Sequence, residues 1–493
     1  MTAIKSRITF RSFTNIFFKN KKVSYPFWSR TELPVFSSRC VALLYFLLNT
    51  QQGKKTHRYP IAAIGLLLAS HLFTVATASA QKVLTLPEAI NIALQRSFNI
   101  QIAQNDVDIN RLFNNIGTAG GLPSVTGNIS DNESLGSLNQ KLSNGNNTNR
   151  SNTGSNAAAG GITGSFLLYN GFRVIATKNR LNELEKQSRQ LLNEQIQNTI
   201  AAVMVKYYDI IRQQNYIKTI QQNIEVTQKR KDVVDVRKSV GLANNADTYQ
   251  AQIDLNTSIE ELQNQQLILN QDVTDLANLI SEKPGTEYLI NDTIVVDTSI
   301  RFDSIMRAIE YNPQLEAASS QISVNEWIEK ETAALRYPSV RLNGGYNYSR
   351  NQSSAGLTLL NQSYGPFVGL SVGIPIYNGG IFKRQQQAAA VTTKISRIQL
   401  ESLQNDLQTS AVRNWQAYQN ILHRLEAARE NYNLASDLVQ LNLQRLQLGN
   451  ITIIDFRVAQ QSFQDAAYQL VNLTYAAKTA EIELKRLASR LGV

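Results

Sequence analysis

The sequence predicts a mainly α-helical protein with a small β contribution, in which long antiparallel coiled-coil hairpins are joined to four strands. Three observations lead there. A unit of helix, two strands and two helices occurs twice; two long polar helices are each interrupted by a glycine turn and then reversed; and between the helices the hydrophobic period falls to two.

The N-terminal part stands apart in composition. The 493-residue chain has a formal net charge of +11, but residues 1–80 carry 11 of the 49 Lys and Arg and, in Glu32, one of the 38 acids. The remainder is close to neutral, which removes the support for a nucleic-acid partner. Lys54, Lys55 and Arg58 precede the apolar run IAAIGLLLASHLFTVATA, which ends in Ala78-Ser79-Ala80. That order of basic region, apolar core and small-residue cleavage site reads as an export leader over 1–80, cut before Gln81. Residues 1–53 exceed an ordinary n-region and read as a start site assigned too far upstream. Cys40, the only cysteine, falls within the leader, so the exported chain has no disulfide framework or cysteine chemistry.

The repeat sets the organisation. Residues from Glu88 align with those from Asp303 at an offset of 215, ungapped to Pro123-Ser124-Val125 against Pro338-Ser339-Val340. At an offset of 208, Tyr169-Asn170-Gly171 aligns with Tyr377-Asn378-Gly379, Arg237 with Arg445, Gly241 with Gly449, and Asp247 with Asp455. The first repeat therefore spans 81–299 and the second 300–493.

Each repeat opens with a helix, expected over 86–119 and 303–334 and ended by Pro123 and Pro338. In SVRLNGGYNYS, Val340, Leu342, Tyr346 and Tyr348 then share one face and Arg341, Asn343, Asn347 and Ser349 the other. FVGLSVGIPIYNGG alternates likewise, giving strands of roughly ten residues with an apolar and a small or polar face. The polar faces cannot form a second apolar layer, and the tyrosines near strand ends suit a membrane boundary. The Asn-, Ser- and Gly-rich stretch from Ser130 to Gly161 is expected as a solvated loop. Four strands cannot close a barrel around water, so a membrane role needs further copies of the chain.

The long helices are expected over 172–239 and 380–447, free of Pro. At about 1.5 Å per residue each is a rod of ~100 Å. Their apolar stripes are narrow, with Ile217, Ile220 and Ile224 in one and Val391, Ile395, Ile398, Leu407, Trp415 and Tyr418 in the other. Such helices pack edge to edge and leave a wide face in water. Returning helices are expected over 247–281 and 455–489.

The paired EAI and PSV segments, the two YNG markers and the turns VGLANNAD and LGNITIID together resemble the TolC-like outer-membrane efflux family over residues 82–493. The resemblance implies a homotrimer, with four transmembrane strands per chain forming a 12-stranded barrel continuous with an α-helical tunnel through the periplasm. It implies a lipid-embedded barrel, a periplasmic adaptor (membrane fusion) protein and an inner-membrane RND or ABC transporter as partners. On this view the chain is a passive exit duct for tripartite efflux or type I secretion. The resemblance also assigns the adaptor-docking tips to Val240, Gly241, Leu242, Asp247, Arg445, Leu448 and Gly449, and a constricting periplasmic gate to Asp455. Val458 stands where a second acidic ring is expected and Ile451 where an arginine locks the closed state; Arg457 is the available substitute.

Simpler roles exist for the same residues: the glycines as helix terminators, Asp247 and Asp455 as N-caps, and Arg237 and Arg445 as partners of helix C-termini. With His423 the only histidine after the leader, and no clustered carboxylates or phosphate loop, the sequence offers neither an enzyme site nor a metal or cofactor site. A periplasmic coiled-coil scaffold is the competing reading; it accounts for the helices but not the strands.

Overall fold

The computed structural model describes residues 82–491 apart from Pro284 and Glu287. The leader, Cys40 and the expected cleavage before Gln81 lie outside the described residues. In chain order the elements are β1 (Lys82–Val83), α1 (Leu86–Arg96), α2 (Phe98–Phe113), β2 (Ser124–Lys141), β3 (Asn147–Tyr169), α3 (Arg173–Ser239) and α4 (Asn245–Leu279). The second repeat follows with β4 (Tyr288–Leu289), α5 (Phe302–Ile309), α6 (Pro313–Ala334), β5 (Ser339–Ser353), β6 (Leu360–Gly373), α7 (Ile381–Gln447) and α8 (Ile453–Leu487).

The opening helix of each repeat is two helices rather than one. The breaks fall at Ser97 and Asn312, equivalent positions whose ψ angles of 124° and 131° leave the helical region. At the second break the cause is local: Pro313 disfavours helical geometry in the residue before it. Asn312 then caps α6 by accepting from Gln314 N–H at 2.9 Å and donates to the Leu487 carbonyl at 2.9 Å, fastening the break to the end of α8.

The strands are longer than the ten residues expected. β2 and β3 run for 18 and 23 residues and β5 and β6 for 15 and 14. Most of the stretch expected as a solvated loop is therefore a hairpin, with its tight turn at 142–146. Single-residue propensity misled here: Asn, Ser and Gly are poor strand formers alone, but continuous antiparallel pairing satisfies their backbone groups. Conversely, Ile374, Pro375, Ile376 and Tyr377 follow the last strand instead of continuing it.

The sheet order is β2-β3-β5-β6, all antiparallel, so the hairpins of both repeats form one sheet whose edges are β2 and β6. Below it run α3 and α7, 67 residues each. α4 and α8, 35 residues each, return along only part of them. α2 and α6 pack along the rest of α3, and α8 packs against both long helices.

The main apolar core lies where these layers meet. Leu84, Tyr207, Ile210, Leu276, Ile280 and Ile290 are all under 2 % exposed, and the Tyr207 hydroxyl donates to the Leu84 carbonyl at 3.1 Å. Beside smaller apolar clusters around Leu407, Leu425 and Phe456, the helices bury polar side chains, including Thr219, Asn223, Thr227 and Arg230 on α3. On α7, Thr393 and Ser396 are buried while Val391, Ile395 and Ile398 are exposed. The first part of the expected apolar stripe of α7 is thus on the outer side of this chain, without a cover, whereas Leu407, Trp415 and Tyr418 farther along pack inward.

The segment after β4 crosses α8 as a strap. Lys478 Nζ donates to the Val295 carbonyl at 2.8 Å and to buried Glu481 at 2.9 Å. Asp297 receives Lys485 at 3.0 Å and the Ser299 hydroxyl at 2.6 Å, while its own N–H donates to Glu481. Tyr418 of α7 donates to the Asp297 carbonyl, so one strap binds α7 and α8 together.

Candidate functional site

The sheet presents two unlike faces. Register places Val125, Gly164, Gly344 and Val368 in one cross-strand row, Gly127, Ile162, Tyr346 and Pro366 in the next, and Ile129, Gly160, Tyr348 and Tyr364 above that. Phe166, Leu342 and Leu370, then Val340 and Val372, continue the same face towards the helices. From Val340 to Tyr348 this apolar face extends about 25 Å along the strand, matching the apolar band of a transmembrane barrel. The next row outward, Asp131, Ala158, Arg350 and Gln362, is polar. Tyr346, Tyr348 and Tyr364 border the band on that side, and Tyr169, Phe172 and Tyr377 on the helix side, as interfacial aromatics do. Ile129 and Val368 are 93 % and 80 % exposed in the single chain, a degree water would not favour at so many neighbouring positions. Among the described residues no helix is long and apolar enough to cross a membrane.

At the far end of the helices the two glycine turns have the same construction. Gly241 and Gly449 adopt φ of 78° and 77°. Gly241 N–H donates to Lys238 O and Leu242 N–H to Arg237 O; Gly449 N–H donates to Leu446 O and Asn450 N–H to Arg445 O. These paired bonds are Schellman terminations and use the carbonyls left over at each helix end. Val240, Leu242 and Leu448 are exposed beside them.

Asp247 and Asp455 are not the N-caps themselves. Asn244 and Thr452 occupy that position, and each aspartate sits three residues on in a capping box. Asp247 N–H donates to Asn244 Oδ1 at 3.0 Å, and Asn244 N–H to Asp247 Oδ2 at 3.1 Å. Asp455 N–H donates to Thr452 Oγ1 at 3.1 Å, and the Thr452 N–H and hydroxyl donate to Asp455 Oδ2 at 3.1 and 2.7 Å. The Thr452 hydroxyl and N–H bonds hold the exposed Asp455 carboxyl below the ordinary aspartate pKa, with Arg445 adding attraction. A groove of ≈ 500 Å³ between the tips is lined by Arg237, Leu242 and Asp247 from one turn and by Gly449, Asn450 and Asp455 from the other. The structure thus brings both tips to one surface. Ile451 packs into the apolar cluster around Phe456 and Val439.

A polar cluster immediately above the tips has no signature in the sequence. Arg230 of α3, 3 % exposed, donates to Asp254 Oδ2 of α4 at 2.5 Å and to Gln460 Oε1 of α8 at 3.1 Å. Gln460 Nε2 donates to Asn223 Oδ1 and Thr227 Oγ1, both at 2.7 Å. Arg457, the candidate substitute for a locking arginine, lies 3.4 Å from the same Asp254. Burial, with a smaller push from the Arg457 charge, depresses the pKa of Arg230, and Asp254 offsets part of that effect. The first and second hairpins are therefore joined by a desolvated hydrogen-bond network. The partners that join the two hairpins are more than 200 residues apart, so no short-range sequence pattern could have revealed it.

Trp415 and Tyr418 pack in the core against α5, Lys330 lies 3.7 Å over the Trp327 ring, and His423 is exposed. Among the described residues no group of three or more His, Cys, Asp or Glu is placed to hold a metal ion.

The sequence profile of a family described as outer membrane efflux protein matches residues 89–282 and 305–490. Outer membrane protein TolC of Vibrio cholerae is 23 % identical over 329 residues, covering 63 % of this chain and 73 % of that protein. The solved structure of the outer membrane protein VceC from Vibrio cholerae superposes with a TM-score of 0.67 at 17 % identity, over 82 % of this chain and 96 % of that one. The outer-membrane channel OprN gives 0.69 at 14 % identity, over 83 % and 90 %.

Proposed function

This chain belongs to the outer membrane efflux protein family and is an outer-membrane efflux channel; from that premise we propose that it works as a homotrimeric, passive exit duct. Its four strands serve as one third of a 12-stranded barrel, and its long helices as one third of a periplasmic tunnel. The observation that carries this is the sheet: a band about 25 Å long along its strands, apolar outside and polar inside, with two unpaired edges, β2 and β6. Three copies joined edge to edge satisfy those edges and enclose the polar face. The exposed stripe Val391, Ile395 and Ile398 on α7, and Ile102, Ile109 and Leu112 on α2, supply apolar surface for helix contacts between copies.

The tips at Val240, Gly241, Leu242, Asp247, Arg445, Leu448 and Gly449 are the docking surface for a periplasmic adaptor, itself joined to an inner-membrane transporter of the RND or ABC class. Asp455, repeated three times about an axis, is the cation-attracting constriction of the periplasmic gate. Energy and substrate choice belong to the inner-membrane partner. Unboiled protein extracted from outer membranes is expected to migrate as a trimer on denaturing gels and to collapse to the monomer on heating. A soluble periplasmic monomer would overturn the reading.

A further inference from the structure

We propose that Arg341 selects charge in the strand-lined segment of the exit path, where three copies form a ring of guanidinium groups that favours anions. The inference rests on the trimeric channel proposed above and extends it to a site at the opposite end from Asp455.

Strand register defines the inner face. Opposite the apolar rows, the inward rows within the membrane band are Ser130, Ala159, Ser349 and Ser363; Asn128, Gly161, Asn347 and Gly365; Thr126, Thr163, Gly345 and Phe367; Ser124, Ser165, Asn343 and Gly369; and Leu167, Arg341 and Ser371. Arg341 is the charged residue of these rows. Asp131 and Arg350 belong to the outward face, at the outer edge of the apolar band.

Arg341 is exposed, and none of the ion pairs among the described residues includes it. β5 is an interior strand, so edge-to-edge assembly does not bring another strand beside it. The strand that reaches β6 from the next copy is β2, whose inward residues within the membrane band, Ser124, Thr126, Asn128 and Ser130, are all uncharged. Within the strand-lined segment nothing neutralises the guanidinium, and an unpaired charge on a barrel wall is stable only where water reaches it.

Its height is fixed as well. Arg341 lies two residues above the Ser339–Gly373 pair that closes the base of the sheet, where the strand-lined segment joins the helices. Twelve strands about 4.8 Å apart and tilted about 40° enclose a backbone radius of ~12 Å. An arginine side chain reaches roughly half that distance, leaving each guanidinium within about one Debye length of the axis at physiological salt. The field of the ring therefore spans the lumen, and it strengthens as salt is diluted. Cargo bearing carboxylate, phosphate or sulfonate groups, and chloride, are drawn to this ring, whereas Asp455 favours cations at the other end.

The test is ion selectivity in planar lipid bilayers under a potassium chloride gradient, using Asp455→Asn protein so that the tip carboxylates do not set the reversal potential. Arg341→Gln in that background is expected to lower the chloride-to-potassium permeability ratio about twofold or more, Arg341→Lys to preserve it, and dilution to widen the difference. An unchanged ratio with normal conductance would overturn the proposal. Should Arg341→Gln not assemble, pyrophosphate added to unmodified channels from the strand side provides the second readout. It should reduce the current more in dilute than in concentrated salt, and a salt-independent or absent block overturns the inference. Absence of any conductance from the unmodified protein would instead overturn the channel reading on which it rests.

Discussion

Arg230 Nη2 stands 2.5 Å from Asp254 Oδ2 in a site where Arg230 is 3 % exposed, and Arg457 of the other hairpin approaches the same carboxylate at 3.4 Å. One aspartate therefore links α3, α4 and α8 just above the tips. Removing one member of a desolvated ion pair leaves an uncompensated charge, which is why the two singles and their combination are informative.

Arg230→Ala should destabilise the tip half of the molecule by about 2–4 kcal/mol, measured by thermal unfolding in detergent. A double-mutant cycle with Gln460→Ala should show coupling above roughly 0.5 kcal/mol, because both side chains belong to one network. The same substitution should raise the frequency of large-conductance openings by releasing α8 from α3. Strict additivity, with unchanged conductance, would mean that other contacts hold the hairpins together.

Asp247→Ala and Asp455→Ala each remove half of a capping box, a loss confined to the first turn of α4 or α8. Hydrogen exchange of the amides following Asn244 and Thr452 should detect both to a similar extent. Channel behaviour should separate them: Asp455→Ala reduces cation preference and Asp247→Ala does not. Equal changes in selectivity would refute the assignment of the gate to Asp455 alone.

Gly241 and Gly449 have left-handed backbones with open space where a side chain would project. Alanine at either position should cost about 1 kcal/mol through backbone strain, with no clash inside the chain. Phenylalanine should leave the trimer assembled but obstruct the adaptor, lowering export of a pump substrate from cells by tenfold or more, on the order of 1.4 kcal/mol of lost docking. Normal export with both glycines replaced by phenylalanine would remove the tips from the docking surface.

The strap makes stability depend on pH. Hydrogen bonds from Ser299, then from Lys485, hold the Asp297 carboxyl well below its ordinary value of 3.8, so its contribution is complete above that value and is lost as pH falls further. Burial opposes the charge of Lys485, but hydrogen bonds to Glu481 and Asp297 outweigh it and raise the pKa above 10.5; that contribution is lost at higher pH. Proteolytic resistance of the strap should thus be flat from about pH 5 to 9 and fall below about pH 4. Asp297→Asn should flatten the acid limb; an unaltered acid limb would place the sensitivity elsewhere.

Features that depend on local chemistry were legible in the chain. A glycine between two polar helices, followed by Asn244 or Thr452 three residues before an aspartate, contains the termination and the capping box in one short run. The same spacing could have identified Asp247 and Asp455 as capping-box partners at the third residue of each helix instead of caps. The outer half of the β2–β3 hairpin was not legible, because its Asn, Ser and Gly residues carry little alternation; pairing with a neighbouring strand, not their own preference, makes them strands.

The sequence by itself determined the repeat, the strand faces and the two tips, since each follows from spacing that one strand or one helix turn imposes on its own residues. Tertiary structure alone decided which distant polar groups meet. Arg230 finds Gln460 across 230 residues, and Asp297 finds Lys485 across 188, because long helices with few large apolar side chains gain specificity from buried hydrogen bonds whose partners only packing brings within reach.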